Sequence, residues 1–133
     1  MKNFNDWNKL KIKLDKIGNF PHPKVGEVWW CKIGVNVGSE ILGKGKEFTR
    51  PVLVINDDGN ESCICVPLSS KLKVSKYSCV INTADGKAHT ASVYQIKNID
   101  KRRFKEKIYE LDKLEYSKVR GCYLELFKNL SKI

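Results

Sequence analysis

Pro51-Val52-Leu53-Val54-Ile55 and Ser62-Cys63-Ile64-Cys65-Val66-Pro67-Leu68 are two apolar runs of strand length, rich in β-branched residues, and the chain around them continues the same pattern. Upstream, Val28 to Val35 is again dense in aromatic and β-branched side chains. Downstream, Tyr77 to Asn82 and Lys87 to Val93 flank Asp85-Gly86, a turn dipeptide that favours a hairpin, and Glu106 to Leu111 reads as a sixth strand. Helices close both ends. Over residues 1–20, Phe4, Trp7, Leu10, Leu14 and Ile17 recur three or four apart among Lys and Asn, the spacing of one apolar stripe. Gly18-Asn19-Phe20-Pro21-His22-Pro23 stops that helix, because proline lacks the amide donor and disfavours helix in the residue before it. At the far end Asp112 and Glu115 form a capping-box pattern, leading a helix with Leu114, Val119, Cys122, Tyr123, Leu126 and Leu130 on one stripe. Short consecutive strands with a helix at each end predict a mainly β domain of α+β character: a compact, mostly antiparallel barrel or sheet with flanking helices.

A chain of 133 residues has room for one such core and not for two ordinary domains. Its formal charge is +10, from 25 Lys and Arg against 15 Asp and Glu, while 41% apolar residues argue for a packed globule over a basic tail. The positive excess therefore belongs to a folded surface, which attracts polyanions: nucleic acid, an anionic membrane face or an acidic protein segment. Cys31, Cys63, Cys65, Cys79 and Cys122 are odd in number and sit mostly inside apolar runs, so they read as reduced core residues. Paired zinc-type ligands are missing, since the nearest two cysteines have one residue between them and His22 and His89 stand alone, and no metal or cofactor is expected. Neither a transmembrane-length apolar stretch nor a signal-type N-terminus is present, and the expected location is the cytoplasm.

Four segments taken in order carry more than their separate meanings: Val25-Gly26-Glu27-Val28-Trp29-Trp30, Val37-Gly38-Ser39-Glu40, Arg50-Pro51-Val52-Leu53-Val54-Ile55 and Val66-Pro67-Leu68-Ser69-Ser70. Together they resemble the MazF/PemK family of toxin endoribonucleases. A fifth, Ser92-Val93-Tyr94-Gln95-Ile96 running into Ile99-Asp100-Lys101-Arg102-Arg103, is similar to the segment before the last strand and helix there. The resemblance spans about residues 24 to 131 and divides the chain into an added N-terminal helix over 1–20 and a toxin-like domain over 24–133. It implies an SH3-like barrel of the PemK/MazF/CcdB type, a homodimer, and sequence-specific, metal-independent cutting of single-stranded RNA. In that chemistry the RNA's own 2′-hydroxyl attacks the adjacent phosphorus and leaves a 2′,3′-cyclic phosphate. The protein then needs no nucleophile; it positions the phosphate, offsets its growing charge and helps protons move.

Arg50 and Ser69 fall where the family's active-site Arg and its Thr or Ser lie. A guanidinium offers a planar fork of donors to two phosphate oxygens and keeps its charge, so the role implied for Arg50 is transition-state stabiliser. Read alone, it would merely start a strand and pair with a surface acid. Ser69 is placed to donate to a phosphate oxygen or the ribose; alone, it would make a local turn bond at a strand end. Because Gly38-Ser39-Glu40 resembles the family loop beside the site, Glu40 is the carboxylate implied to take a proton or to hold Arg50 in place; read alone, it would be a solvated loop acid. Ser39 and Ser70 neighbour these residues, and Gln95 matches a position near the RNA groove, to read a base edge or to hold backbone. Lys44, Lys46, Lys71, Lys73 and Lys76 lie in the two loops beside the motifs as a phosphate-tracking rim, with Tyr77 or Phe48 as stacking surfaces. Some family members carry His in the glycine loop and Arg and Asp near the Gln, where this chain has Ser39, Ser92 and Tyr94. The proton-transfer groups therefore differ. The loop from Ile41 to Thr49 is long, holds Gly43 and Gly45, and reads as a lid over the groove.

As a type II toxin the chain would have single-stranded RNA, an acidic antitoxin and a second copy of itself as partners, with operator DNA reached only through the antitoxin complex and no membrane contact. Two other classes fit the same barrel: a non-catalytic, gyrase-poisoning toxin working through its C-terminal helix, and a nucleic-acid-binding regulator. The Arg50 and Ser69 pair favours the ribonuclease over the first. Against the second stand basic residues clustered in loops and the lack of a helix-turn-helix pattern.

Overall fold

The computed structural model describes residues 3–34, 48–57, 59, 61–72 and 75–131. Its strands are β1 (Glu27–Lys32), β2 (Thr49–Asp57), β3 (Ser62–Ser69), β4 (Cys79–Asn82), β5 (Ala88–Ala91), β6 (Lys97–Asp100) and β7 (Phe104–Glu110), preceded by α1 (Phe4–Asp15) and followed by α2 (Lys113–Leu130). Single 3₁₀ turns at Val93–Gln95 and Lys101–Arg103 carry the chain into and out of β6. The strand order is β4-β5-β3-β2-β1-β7, antiparallel throughout, with β6 also on β3. One edge of β3 is shared: Ser62 to Cys65 pair with β6, and Leu68 and Ser69 pair with β5. That fork, with a bulge in β2 between Val54 and Asn56 and two in β7, at Ile108 and Lys105 opposite Trp29 and Trp30, bends the sheet into a partly open barrel. Its two end strands, β4 and β7, do not pair with each other among the described residues.

Alternation along the central strands feeds two cores, as a period of two requires when both faces are covered. Val28, Leu53, Val66 and Leu68 meet Ile81, Ala91, Val93 and, from α2, Tyr116 and Val119. The opposite face gathers Cys31, Ile33, Val52, Val54, Cys63, Cys65, Ile99 and Phe104. Each fully buried aliphatic side chain here stabilises the fold by roughly 1.5–3 kcal/mol. Three of the five cysteines are thus interior packing, and burial pushes the Cys31 thiol well up from its ordinary value.

Several elements differ from the expected ones. The first helix covers Phe4–Asp15 instead of residues 1–20, and of its stripe only Trp7 is buried, while Phe4 and Ile17 stay exposed. Trp7 seats α1 on the barrel by packing on Gly34, where any Cβ would run into the indole, and against the Phe48 ring at 5.6 Å. β1 ends at Lys32, short of the Val35 anticipated. β6 has a single interior apolar residue, Ile99, and no alternation to announce it. The capping box is half made: Asp112 accepts from the Leu114 amide at 3.1 Å, but Glu115 turns instead to the Asn82 amide at 3.0 Å and to Lys118, stapling α2 to β4.

Buried or half-buried carboxylates hold this frame together. Glu27 accepts from the Lys24 amide at 2.8 Å and the Trp29 indole at 3.0 Å, and pairs with Lys107 at 3.0 Å. Burial alone would raise its pKa, yet those three donors outweigh burial and hold it below the ordinary value. Asp57 is held low by its bond to Lys101, whose side chain is 2% exposed, and by the Gly59 amide. Glu115 is lowered by the Asn82 amide and Lys118. A carboxylate with a depressed folded pKa stabilises fully above its unfolded value of about 4 and loses that contribution as pH falls toward the folded value. The midpoint of urea unfolding should therefore hold at mildly acid pH and drop below about pH 4, less steeply in Glu27→Gln. A midpoint unchanged down to about pH 3 would contradict these assignments.

Candidate active site

Arg50 is the second residue of β2 and only 8% exposed. Its Nη1 donates to the Leu68 carbonyl on the neighbouring strand at 3.2 Å. The β2–β3 register pairs Val52 with Pro67, and carried two residues further it sets Arg50 opposite Ser69. The β3–β5 ladder in turn pairs Ser69 with Thr90. Three adjacent strands thus bring Arg50, Ser69 and Thr90 together at one end of the barrel. By alternation Arg50 shares the face of Val52 and Val54, and Ser69 that of Cys63 and Cys65, so the site continues the second core outward. Burial pulls the Arg50 pKa below its ordinary value, and a guanidinium keeps its proton nonetheless.

Ser69 does make the local bond that a strand-end serine favours, its Oγ accepting from the Lys71 amide at 3.2 Å. Accepting engages a lone pair, so the O–H is the atom left to address a phosphate oxygen. The Lys71 carbonyl accepts from Thr90 Oγ1 at 2.8 Å, which pins the Ser69-Ser70-Lys71 turn to β5. Ser70 and Lys71 are exposed beside the site. Thr90 has no local sequence signal; only the non-local ladder brings it here.

The remaining anticipated residues divide. Ser39, Glu40, Lys44, Lys46 and Lys73 lie outside the described residues, as do positions 41–47 of the anticipated lid. Gln95 ends the 3₁₀ turn that links β5 to β6, half-buried, its amide donating to the Ser92 carbonyl at 2.9 Å. Tyr77 is tied to α2 and to the 3₁₀ turn before Gln95: its hydroxyl accepts from Asn129 at 2.8 Å, its carbonyl from the Tyr94 amide, and the Lys76 ammonium lies 5.4 Å from its ring centre. Phe48 packs against Trp7. Ser92 is buried and Tyr94 exposed. Among the described residues no group of His, Cys, Asp or Glu is arranged to hold a metal ion, and no helix is long and apolar enough to cross a membrane.

The family model for the PemK-like, MazF-like toxin of type II toxin–antitoxin systems matches residues 24–127. Curated proteins provide no match. Among solved structures, a crystal form of MazF from Deinococcus radiodurans is similar at 20% identity, covering 81% of this chain and 98% of that one, with a TM-score of 0.67. A MazE–MazF complex from the same organism is 18% identical over 80% of this chain and 96% of that one, with a TM-score of 0.61. An endoribonuclease in complex with its cognate antitoxin from a Mycobacterial species is 14% identical over 75% and 89%, with a TM-score of 0.57. At these identities the likeness is one of fold.

Proposed function

The chain belongs to the PemK-like, MazF-like toxin family of type II toxin–antitoxin systems, and from that membership we propose that it is an endoribonuclease that cuts single-stranded RNA without a metal ion. The observation that carries this reading is the placement of Arg50 across from Ser69 at the ends of β2 and β3, with Thr90 on the next strand. A phosphodiester laid over that end would meet a guanidinium fork and a hydroxyl donor. The ribose 2′-oxygen attacks the adjacent phosphorus, its bond to phosphorus forms, and the bond from phosphorus to the 5′-oxygen breaks. One proton leaves the 2′-hydroxyl and one reaches the departing 5′-oxygen, giving a 2′,3′-cyclic phosphate and a 5′-hydroxyl.

Charge accumulates on the non-bridging oxygens as phosphorus becomes five-coordinate, and a preorganised donor aimed at that charge lowers the barrier more than one aimed at the ground state. Arg50 fills this role because its low exposure spares it reorganisation when the charge develops. Ser69 orients the phosphate. Glu40 is the proposed proton acceptor. An acidic antitoxin would occupy the same positive surface, a second copy of the chain would complete the dimer, and operator DNA would be reached only through the antitoxin complex.

Purified protein incubated with single-stranded RNA in excess chelator should yield discrete fragments. RNA left intact, with gyrase inhibited instead, would replace this reading with that of a non-catalytic poison. Intact RNA with sequence-specific DNA binding would point to a regulator.

A further inference from the structure

A cavity of about 410 Å³ lies between α1 and the chain around β6, bordered by Phe4, Trp7, Lys11, Lys97, Asn98 and Arg103 among others, and reached on the β2 side by Ile33, whose amide donates to the carbonyl of Phe48, two residues before Arg50. Three of these are cations, and no carboxylate is among its described lining residues. The walls are held in place. The Arg103 guanidinium lies 5.4 Å from the Trp7 ring centre and donates to the Lys32 carbonyl at 3.5 Å, while Trp7 is locked on Gly34. Lys97 pairs with Cys65, so it shares the face that carries Ser69 and Arg50. Phe104 and Arg50 pair with the same residue, Cys31, from its two sides, which sets their strands two ladder spacings, roughly 10 Å, apart.

We propose that this cavity is a second binding site for the RNA strand, taking a nucleotide near the one held at Arg50. The proposal rests on the ribonuclease reading above and adds the residues that grip the substrate beyond the scissile bond. Lys11, Lys97 and Arg103 offset the phosphate charge, Phe4, half exposed on α1, offers its ring to the base, and the Asn98 amide can both donate to and accept from a base edge. Most of these groups escape notice in sequence because they come from two segments far apart in the chain, residues 4–11 and 97–103. Phe4 and Lys11 moreover lie before residue 24, where the family match begins. Continuity with the Arg50 face and a ring set beside clustered cations favour a nucleotide over an acidic peptide, which would use the charges and leave the ring and amide idle.

Binding of a fully 2′-O-methylated single-stranded RNA, followed by fluorescence anisotropy over a range of salt, tests the proposal with the full-length chain. Lys11→Glu should raise Kd about tenfold at low salt and lessen the salt slope by about 0.7, the value of one phosphate contact on a single strand. Phe4→Ala should raise Kd several-fold with the slope kept, and Lys11→Arg should restore binding. With cleavable RNA, Lys11→Glu should raise KM while kcat holds. Circular dichroism checks that α1 is retained. If the wild type cuts RNA and both variants bind it as tightly as the wild type, the second site is wrong and the ribonuclease reading stands. Weakened binding of poly-glutamate with RNA binding unchanged also overturns it. A wild type that neither binds nor cuts RNA refutes the ribonuclease reading itself, and the second site with it.

Discussion

Arg50→Ala is expected to cut RNA on the order of a hundredfold or more slowly than the wild type, with kcat carrying most of the loss. In the proposed mechanism the guanidinium acts chiefly on the additional negative charge that builds on the phosphate oxygens in the transition state, so its removal affects the barrier more than substrate binding. Because Arg50 also bonds the Leu68 carbonyl, the variant must be checked for a wild-type unfolding midpoint before its rate is interpreted. Arg50→Lys separates charge from shape. A lysine keeps the positive charge and loses the planar fork, so it should recover only part of the rate. Ser69→Ala should lose less than Arg50→Ala, since a hydroxyl offers one donor and no net charge, whereas the guanidinium offers a fork of donors and a positive charge. Wild-type turnover in a folded Arg50→Ala would remove this residue from the active site.

An RNA carrying 2′-deoxyribose at the scissile nucleotide should resist cutting altogether while binding nearly as well as the natural strand. The proposed mechanism takes its nucleophile from the substrate, so deleting that oxygen deletes the reaction and leaves the phosphate contacts in place. Single-turnover assays at enzyme excess would show no fragment from the modified strand, and competition against natural RNA would show that it still occupies the site. Efficient cutting of the modified strand would require an attacking water or side chain and would end this mechanism.

Much of the frame can be read from local pattern. β2 and β3 follow from two apolar runs, and the turn at Asp85-Gly86 places β4 beside β5. What escapes local reading is set by non-local pairing. Lys97-Asn98-Ile99-Asp100 has too little apolar content to read as a strand, and it becomes β6 because β3 offers an edge there. The stripe on α1 gives helix periodicity correctly and says nothing about how much of it will be covered; a single tryptophan docking on Gly34 decides that. Glu115 has the spacing of a capping box, and the nearby Asn82 amide outcompetes it for the carboxylate. The same holds for the site. As candidates, Arg50 and Ser69 are legible through the order of the motifs, whereas Thr90 reaches that end of the barrel only through its ladder with Ser69, and Arg103 only because the next residue, Phe104, pairs with Cys31, the partner of Arg50. The tie of Tyr77 to α2 through Asn129 and to the 3₁₀ turn through the Tyr94 amide is likewise non-local and has no local signal.

The chemistry of the fragment ends tests the central claim most directly. RNA cut by the purified chain in chelator should carry a 2′,3′-cyclic phosphate on the upstream piece and a 5′-hydroxyl on the downstream piece, seen as resistance to ligation at the upstream 3′ end until the cyclic phosphate is opened and removed, and as labelling by kinase without prior phosphatase. Fragments bearing 5′-phosphate and 3′-hydroxyl ends would show that water, not the ribose, attacks phosphorus, and would contradict the roles of Arg50 as stabiliser of the five-coordinate phosphorus and of Ser69 as its orienting donor.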